Sequence, residues 1–179
     1  PQIIRQAGER QSLYNPIKPE GSFPIVRQKS LGLHAMKLLG FDFNHGRLDI
    51  SAHPFCGGVP EDVRITTRYN EKDFMPSLMG VIHETGHARY EQGLPAKWRG
   101  QPAGEARSMG IHESQSLFFE MQLARHPAFL RKMAPLIKQH FGEQPALEAE
   151  NLIQLYSRIE PGFIRVDADE LTYPAHIIM

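Results

Sequence analysis

The chain of 179 residues sets 20 Lys and Arg against 20 Asp and Glu, a formal net charge of +0, with 41% hydrophobic and 22% charged residues. That balance fits one globular domain with a real core. It offers no basic block for nucleic acid and no apolar run near ~20 residues for a transmembrane helix.

In chain order, residues 2–13 read as a short helix with Ile3, Ile4 and Ala7 apolar. Asn15-Pro16, Pro19 and Gly21 mark a loop. Ser22 is expected to cap a helix over 23–39, with Pro24 in its first turn and Gly40 ending it. His34 within it reads as packed or solvated. Residues 47–53 and 62–68 alternate apolar and polar side chains, as strands do. The Gly- and Pro-rich run 54–60 between them reads as a loop. Together they predict a small antiparallel sheet over about 47–69 with an open edge, to which an extended peptide can add.

A helix over 73–92 follows, capped by Asp73, with Pro76 in its first turn and Gly93 and Pro95 beyond its end. Gly86 inside it costs about 1 kcal/mol against Ala, which a close helix approach would offset. After a loop over 93–104, helices are expected at 105–125, 128–140 and 146–159. Pro161-Gly162 breaks the chain, and Asp167 with Glu170 resembles a capping box for a last helix. The chain opens on Pro1 and stops at Met179 inside an amphipathic pattern, which predicts a longer parent extending beyond both ends. Cys56 is the only cysteine, so no intrachain disulfide forms, which fits a reducing, cytoplasmic setting. No signal-peptide pattern is visible.

The chemistry concentrates at His83-Glu84-Thr85-Gly86-His87. Positions i and i+4 share a helix face, so His83 and His87 can turn their rings on one metal ion. Glu84, one step round, can reach a water in the metal's open position and take its proton. This is the H-E-x-x-H metalloprotease arrangement, with zinc as the expected metal. A carboxylate as third ligand would complete a catalytic His₂Glu set. Glu113 lies 26 positions after His87, and Glu105 and Glu120 lie on the same expected helix. In thermolysin-like enzymes an aspartate often follows the ligand glutamate by four residues. Leu117 stands four after Glu113, so the partners of the histidine rings must come from elsewhere.

Five runs in order then resemble the carboxypeptidase Taq family of thermostable metallocarboxypeptidases. They are His53-Pro54-Phe55 (HPF), Asp62 to Thr66 (DxRxT), His83 to His87 (HExxH), His112 to Gln115 (HES/GQ) and Ile164 to Asp169 (IRxxAD). The resemblance selects Glu113 as third ligand beside His83 and His87, with Glu84 as general acid and base. It implies a mainly α, zincin-like core with long active-site helices and a small antiparallel β-sheet, in one catalytic-domain unit over 1–179. The helices over about 73–92 and 105–125 would bind the metal. It also implies broad release of C-terminal residues from peptides, zinc or cobalt as metal, and a homodimeric parent.

Arg165 becomes a candidate for gripping the substrate's terminal carboxylate, as arginine's bidentate fork does well. Arg64 and His53 would line the groove, although Arg64 can equally pair with Asp62. His112 would donate a hydrogen bond to the tetrahedral intermediate or serve in packing. The family's further motif, GxxQDxHW, does not occur within the 179 residues. Two alternatives remain: another HExxH peptidase, such as an oligopeptidase or aminopeptidase, and a metal-binding segment without turnover.

Overall fold

The structure is a computed structural model; it describes residues 2–160, 171–173 and 178. Helix α1 (Gln2–Gln11) and α2 (Ile25–Leu38) precede three strands, β1 (Gly46–Ile50), β2 (Phe55–Val59) and β3 (Asp62–Thr67). Then come α3 (Met75–Gln92), α4 (Met109–Leu117), a π-helical continuation over Phe118–Ala124, α5 (Pro127–Phe141) and α6 (Ala149–Tyr156). The mainly α class is as expected. No helix among the described residues is long and apolar enough to cross a membrane.

The sheet differs from the antiparallel expectation: it is mixed, in the order β1-β3-β2. β1 runs parallel to β3, with Leu48 opposite Ile65, while β2 runs antiparallel to it, with Cys56 opposite Ile65. The run expected to be a loop therefore supplies a strand of its own. β2 and β3 form a hairpin across Pro60-Glu61, and the antiparallel partner of β3 is β2 instead of β1. Gly58 enters that turn at φ 118°, a left-handed conformation that glycine adopts without strain.

Helix α3 is the axis of the molecule because three of its faces are occupied. Leu78 and Ile82 pack with Phe23, Leu31, Phe74, Met133, Ile137 and Leu152 in the helical core. Val81 and Ala88 pack with Met36, Leu48, Val63 and Ile65 beneath the sheet. Burying an aliphatic side chain of this size contributes about 1.5–3 kcal/mol. The third face, which carries His83 and His87, meets α4.

Both ends of α3 are pinned. The Asp73 carboxylate accepts the Met75 N–H at 3.1 Å, and the buried Gln28 amide donates to the carbonyls of Phe23 and Asn70 and accepts from the Ser77 hydroxyl. At the other end the Gln92 amide donates to the Asp42 carbonyl at 2.9 Å and accepts the Asp42 N–H at 3.0 Å.

Three boundaries shift. Phe74, not Asp73, stands at the cap position of α3, which begins at Met75. Pro24, not Ser22, stands at the cap position of α2, and Phe23 is buried beside it. The second long helix begins at Met109, where the Ser108 hydroxyl accepts the Ile111 N–H, because Glu105 is in extended backbone. The helix expected from Asp167 lies outside the described residues. His34 is exposed, and its ring meets that of His140 edge-on at 5.2 Å.

Candidate metal centre

The site forms where α3 meets α4. Gly86 sets the spacing: a Cβ there would lie 2.7 Å from the Ser116 Cα and 2.8 Å from the Gln115 carbonyl oxygen. Only a residue without a side chain lets the two backbones come this close. The turn of α4 facing Gly86 is the one that follows Glu113, so the contact brings that carboxylate over the two histidines.

His83, His87 and Glu113 each offer one ligand atom, and the three atoms lie within 4.8 Å of one another. His87 Nε2 is 3.2 Å from Glu113 Oε2, and His83 Nε2 is 3.9 Å from Glu113 Oε1. Ligands about 2.0–2.2 Å from a tetrahedral ion stand roughly 3.3 Å apart, so the donor set fits a zinc-class cation after small adjustments. It is the one such cluster among the described residues. Glu105 stands before α4, and Glu120 serves a different purpose.

That purpose is to orient His83. Its Nδ1 lies 2.8 Å from Glu120 Oε2, so Nδ1–H donates to the carboxylate and Nε2 is left free to ligate. His87 is held differently. Its Nδ1 lies 3.0 Å from His112 Nδ1, and His112 Nε2 lies 2.7 Å from Glu91 Oε1. Sequence reasoning left both partners unnamed. Glu91 is four residues beyond His87, a spacing that could have drawn attention to it. Glu120 stands seven residues beyond Glu113, a two-turn spacing that keeps both carboxylates on one helix face and that could have pointed to it.

The charges around the site suit this division. For His83, burial works to lower the pKa, but the hydrogen bond and charge of Glu120, with Glu84 and Glu113 behind them, raise it overall. For His87, burial and the neighbouring His83 lower it, which favours the neutral ring that a metal requires. Glu84 is only 7% exposed. Among the protein groups alone, burial pushes its carboxyl up to about 7, against the pull of His83 and helped by Glu113 and Glu120. A divalent cation beside it would draw the value back down.

Glu84 and His87 face a cleft of about 220 Å³ whose other walls include Phe55, Gly57, Met109 and His112. Strand β2 is thus both one of the two outer strands of the sheet and a wall of the metal-side cleft. Another cleft, of about 400 Å³ between Lys18, Lys72, Arg125 and Tyr156, is lined by none of the metal-site residues. Cys56 also borders the metal-side cleft. Burial, then the charges of Glu84 and Glu91, push its thiol up to about 12.

The other candidates are placed as follows. His53 is exposed just before β2, and its carbonyl accepts from the Thr66 hydroxyl at 2.9 Å. Arg64 is exposed and donates to Asp62 from Nε and Nη2, the closest contact being 2.7 Å. Neither residue lines the metal-side cleft. His112 does, with both ring nitrogens engaged by His87 and Glu91. Arg165 lies outside the described residues.

A family model described as carboxypeptidase Taq (M32) metallopeptidase matches residues 1–179. Carboxypeptidase 1 of Bacillus subtilis (strain 168) is 44% identical over 163 residues, 88% of this chain and 32% of that protein. Thermostable carboxypeptidase 1 of Thermus thermophilus is 41% identical over 158 residues, 88% of this chain and 31% of that protein. Among solved structures, Trypanosoma cruzi metallocarboxypeptidase 1 superimposes with a TM-score of 0.92 at 48% identity, over 99% of this chain and 37% of its own. The apo-Mg structure of Pyrococcus furiosus carboxypeptidase gives 0.89 at 31% identity, over 99% and 36%. The chain spans about a third of the length of the curated relatives it matches.

Proposed function

The chain belongs to the carboxypeptidase Taq (M32) metallopeptidase family, and from that premise we propose that the protein is a zinc-dependent metallocarboxypeptidase. It releases C-terminal residues from peptides with broad specificity. One observation carries the reading: the buried Glu84 carboxylate stands on the same helix turn as two ring nitrogens that converge with Glu113 on a single point.

His83, His87 and Glu113 hold the ion, zinc or alternatively cobalt. When bound, such an ion supplies Lewis acidity, polarising a carbonyl and acidifying a water. Glu84 takes a proton from the attacking water and returns it to the leaving amine, acting first as base and then as acid. Burial raises the Glu84 carboxyl and the cation would lower it, so the two act against each other on the group that exchanges the proton.

The peptide lies along the edge of β2 that has no strand partner among the described residues, where main-chain hydrogen bonds would hold it with little demand on side-chain identity. That supports broad specificity. Arg165 grips the terminal carboxylate, and His53 and Arg64 flank the groove outside the cleft. For Arg64 this requires sharing its guanidinium with Asp62. His112 contributes a ring to the cleft wall; donating to the tetrahedral intermediate would require Nε2 to leave Glu91. The whole protein acts as a homodimer in the cytoplasm.

The test is hydrolysis of an N-blocked dipeptide with a free C-terminus, beside the same substrate amidated, on the whole protein. Chelator-sensitive release from the free acid alone supports the carboxypeptidase. Equal cleavage of the amide would point to an endopeptidase of the same motif class, and zinc binding without release from either substrate would leave the site as a metal-binding module.

A further inference from the structure

His112 and Glu91 have no assigned part in the chemistry above, yet they make the tightest polar arrangement in the cleft. His87 and Glu91 are i and i+4 on α3, so both side chains leave the same face one turn apart. His112 immediately precedes Glu113 on α4. The helix turn that presents the third ligand therefore presents this ring as well. Its two nitrogens lie 3.0 Å from His87 Nδ1 and 2.7 Å from Glu91 Oε1. Both side chains are largely buried, at 13% and 21% exposed, so water competes weakly for these bonds.

Proton counting settles the direction. Two imidazole nitrogens facing each other at 3.0 Å share one proton. For Nε2 of His87 to ligate a cation its lone pair must be free, so the proton sits on Nδ1 and His112 Nδ1 accepts. The proton of the neutral His112 ring is then on Nε2, where it is donated to the Glu91 carboxylate. The opposite direction would place the His87 proton on Nε2, where the ion must bind. A carboxylate at the far end fixes the tautomers of both rings, because it can only accept.

We propose that Glu91 and His112 form a two-residue relay that sets the tautomer and orientation of His87, making them positioning residues for the metal centre. The two ligand histidines are held by unlike devices. His83 donates directly to Glu120 at 2.8 Å, whereas His87 reaches its carboxylate through an intervening ring. The relay also keeps the nitrogens of His112 turned away from substrate. The inference rests on the metal-centre reading, and the experiment separates the two.

Zinc affinity is measured on the whole protein by competition with a chromogenic chelator, for Glu91→Gln, His112→Ala, the double variant and His112→Asn. Glu91→Gln and His112→Ala each weaken zinc by about tenfold to a hundredfold. The double variant is no weaker than the worse single one, since either change breaks the same chain. His112→Asn, whose carbonyl can still accept from His87 Nδ1, recovers part of the loss. Affinities within twofold of wild type for both single variants, or losses that multiply in the double, overturn the relay.

Nitrogen-15 NMR of the zinc-loaded wild type gives a reading that needs no variant. A proton on His87 Nδ1 and on His112 Nε2 supports the assignment, and a proton on His112 Nδ1 overturns it. A wild type that binds no zinc overturns the metal-centre reading and the relay together.

Discussion

Gly86 on α3 and Ser116 on α4 are so close that a Cβ on the first would lie 2.7 Å from the Cα of the second. Gly86→Ala gains about 1 kcal/mol of helix propensity and forces this contact apart, an overpacking that costs about 1–3 kcal/mol. The net expectation is a lower melting temperature, together with weaker zinc binding as Glu113 moves away from the histidines. Thermal unfolding and chelator competition check the two effects. An alanine variant with wild-type zinc affinity would show that the approach of the helices does not position the ligand.

Glu84→Gln keeps the size of the side chain and removes its ability to take a proton. Turnover should fall by about a thousandfold or more while zinc stays bound. Steady-state kinetics and metal content, measured on one sample, check this. Activity within tenfold of wild type would remove Glu84 from the mechanism.

Glu84 also gives the chelator-treated protein a distinctive pH dependence. Its folded pKa of about 7 lies above the ordinary 4.5. Stability from this group is therefore fully present below about 4.5 and is lost as the pH rises through about 7, the reverse of a salt-bridged carboxylate. Glu84→Gln should be the more stable protein at pH 8 by roughly 2–3 kcal/mol and about equal at pH 4.5. Melting curves at the two pH values test this, and a constant difference between the proteins would refute it.

Glu120→Gln leaves a neutral amide where His83 Nδ1 now finds a carboxylate. Zinc affinity should drop about tenfold to a hundredfold, with the fold unchanged by circular dichroism. An unchanged affinity would mean that packing alone orients His83.

Cys56 should be nearly inert to iodoacetamide at pH 8 in the chelator-treated protein. With its pKa at about 12, the reactive thiolate is roughly a thousandfold scarcer than in a free thiol. Mass spectrometry of labelled native and denatured protein measures the protection. Equal labelling rates would show that the thiol is not held in its neutral form.

How much of this was legible in the sequence depended on the range of the interaction. His83, Glu84 and His87 were readable because one helix sets their geometry. Glu113 was one of three acidic candidates until motif resemblance selected it, and its position over the histidines depends on the contact at Gly86. Glu120 was missed as an orienting group because its contact with His83 spans 37 residues and two helices, which no local spacing shows. Strand β2 was hidden by composition: Gly57 and Gly58, flanked by Pro54 and Pro60, have the local preferences of a loop, and only pairing with β3 makes them extended. The parallel pairing of β1 with β3 is non-local, so alternation within each strand could not reveal its direction.

The ligands on α3 and α4 are separated by the segment 93–108, no residue of which is buried. An ion shared by His87 and Glu113 would close this segment into a ring, as a disulfide would in a protein with cysteines to spare. The gain from such closure comes largely from the unfolded chain, whose freedom it removes, and it grows only slowly with the length enclosed. Such an ion would thus be a reversible cross-link between the two helices, across a segment that keeps its own fixed points in the Ser108 cap of α4 and in Gly104, where a Cβ would meet the Trp98 carbonyl oxygen.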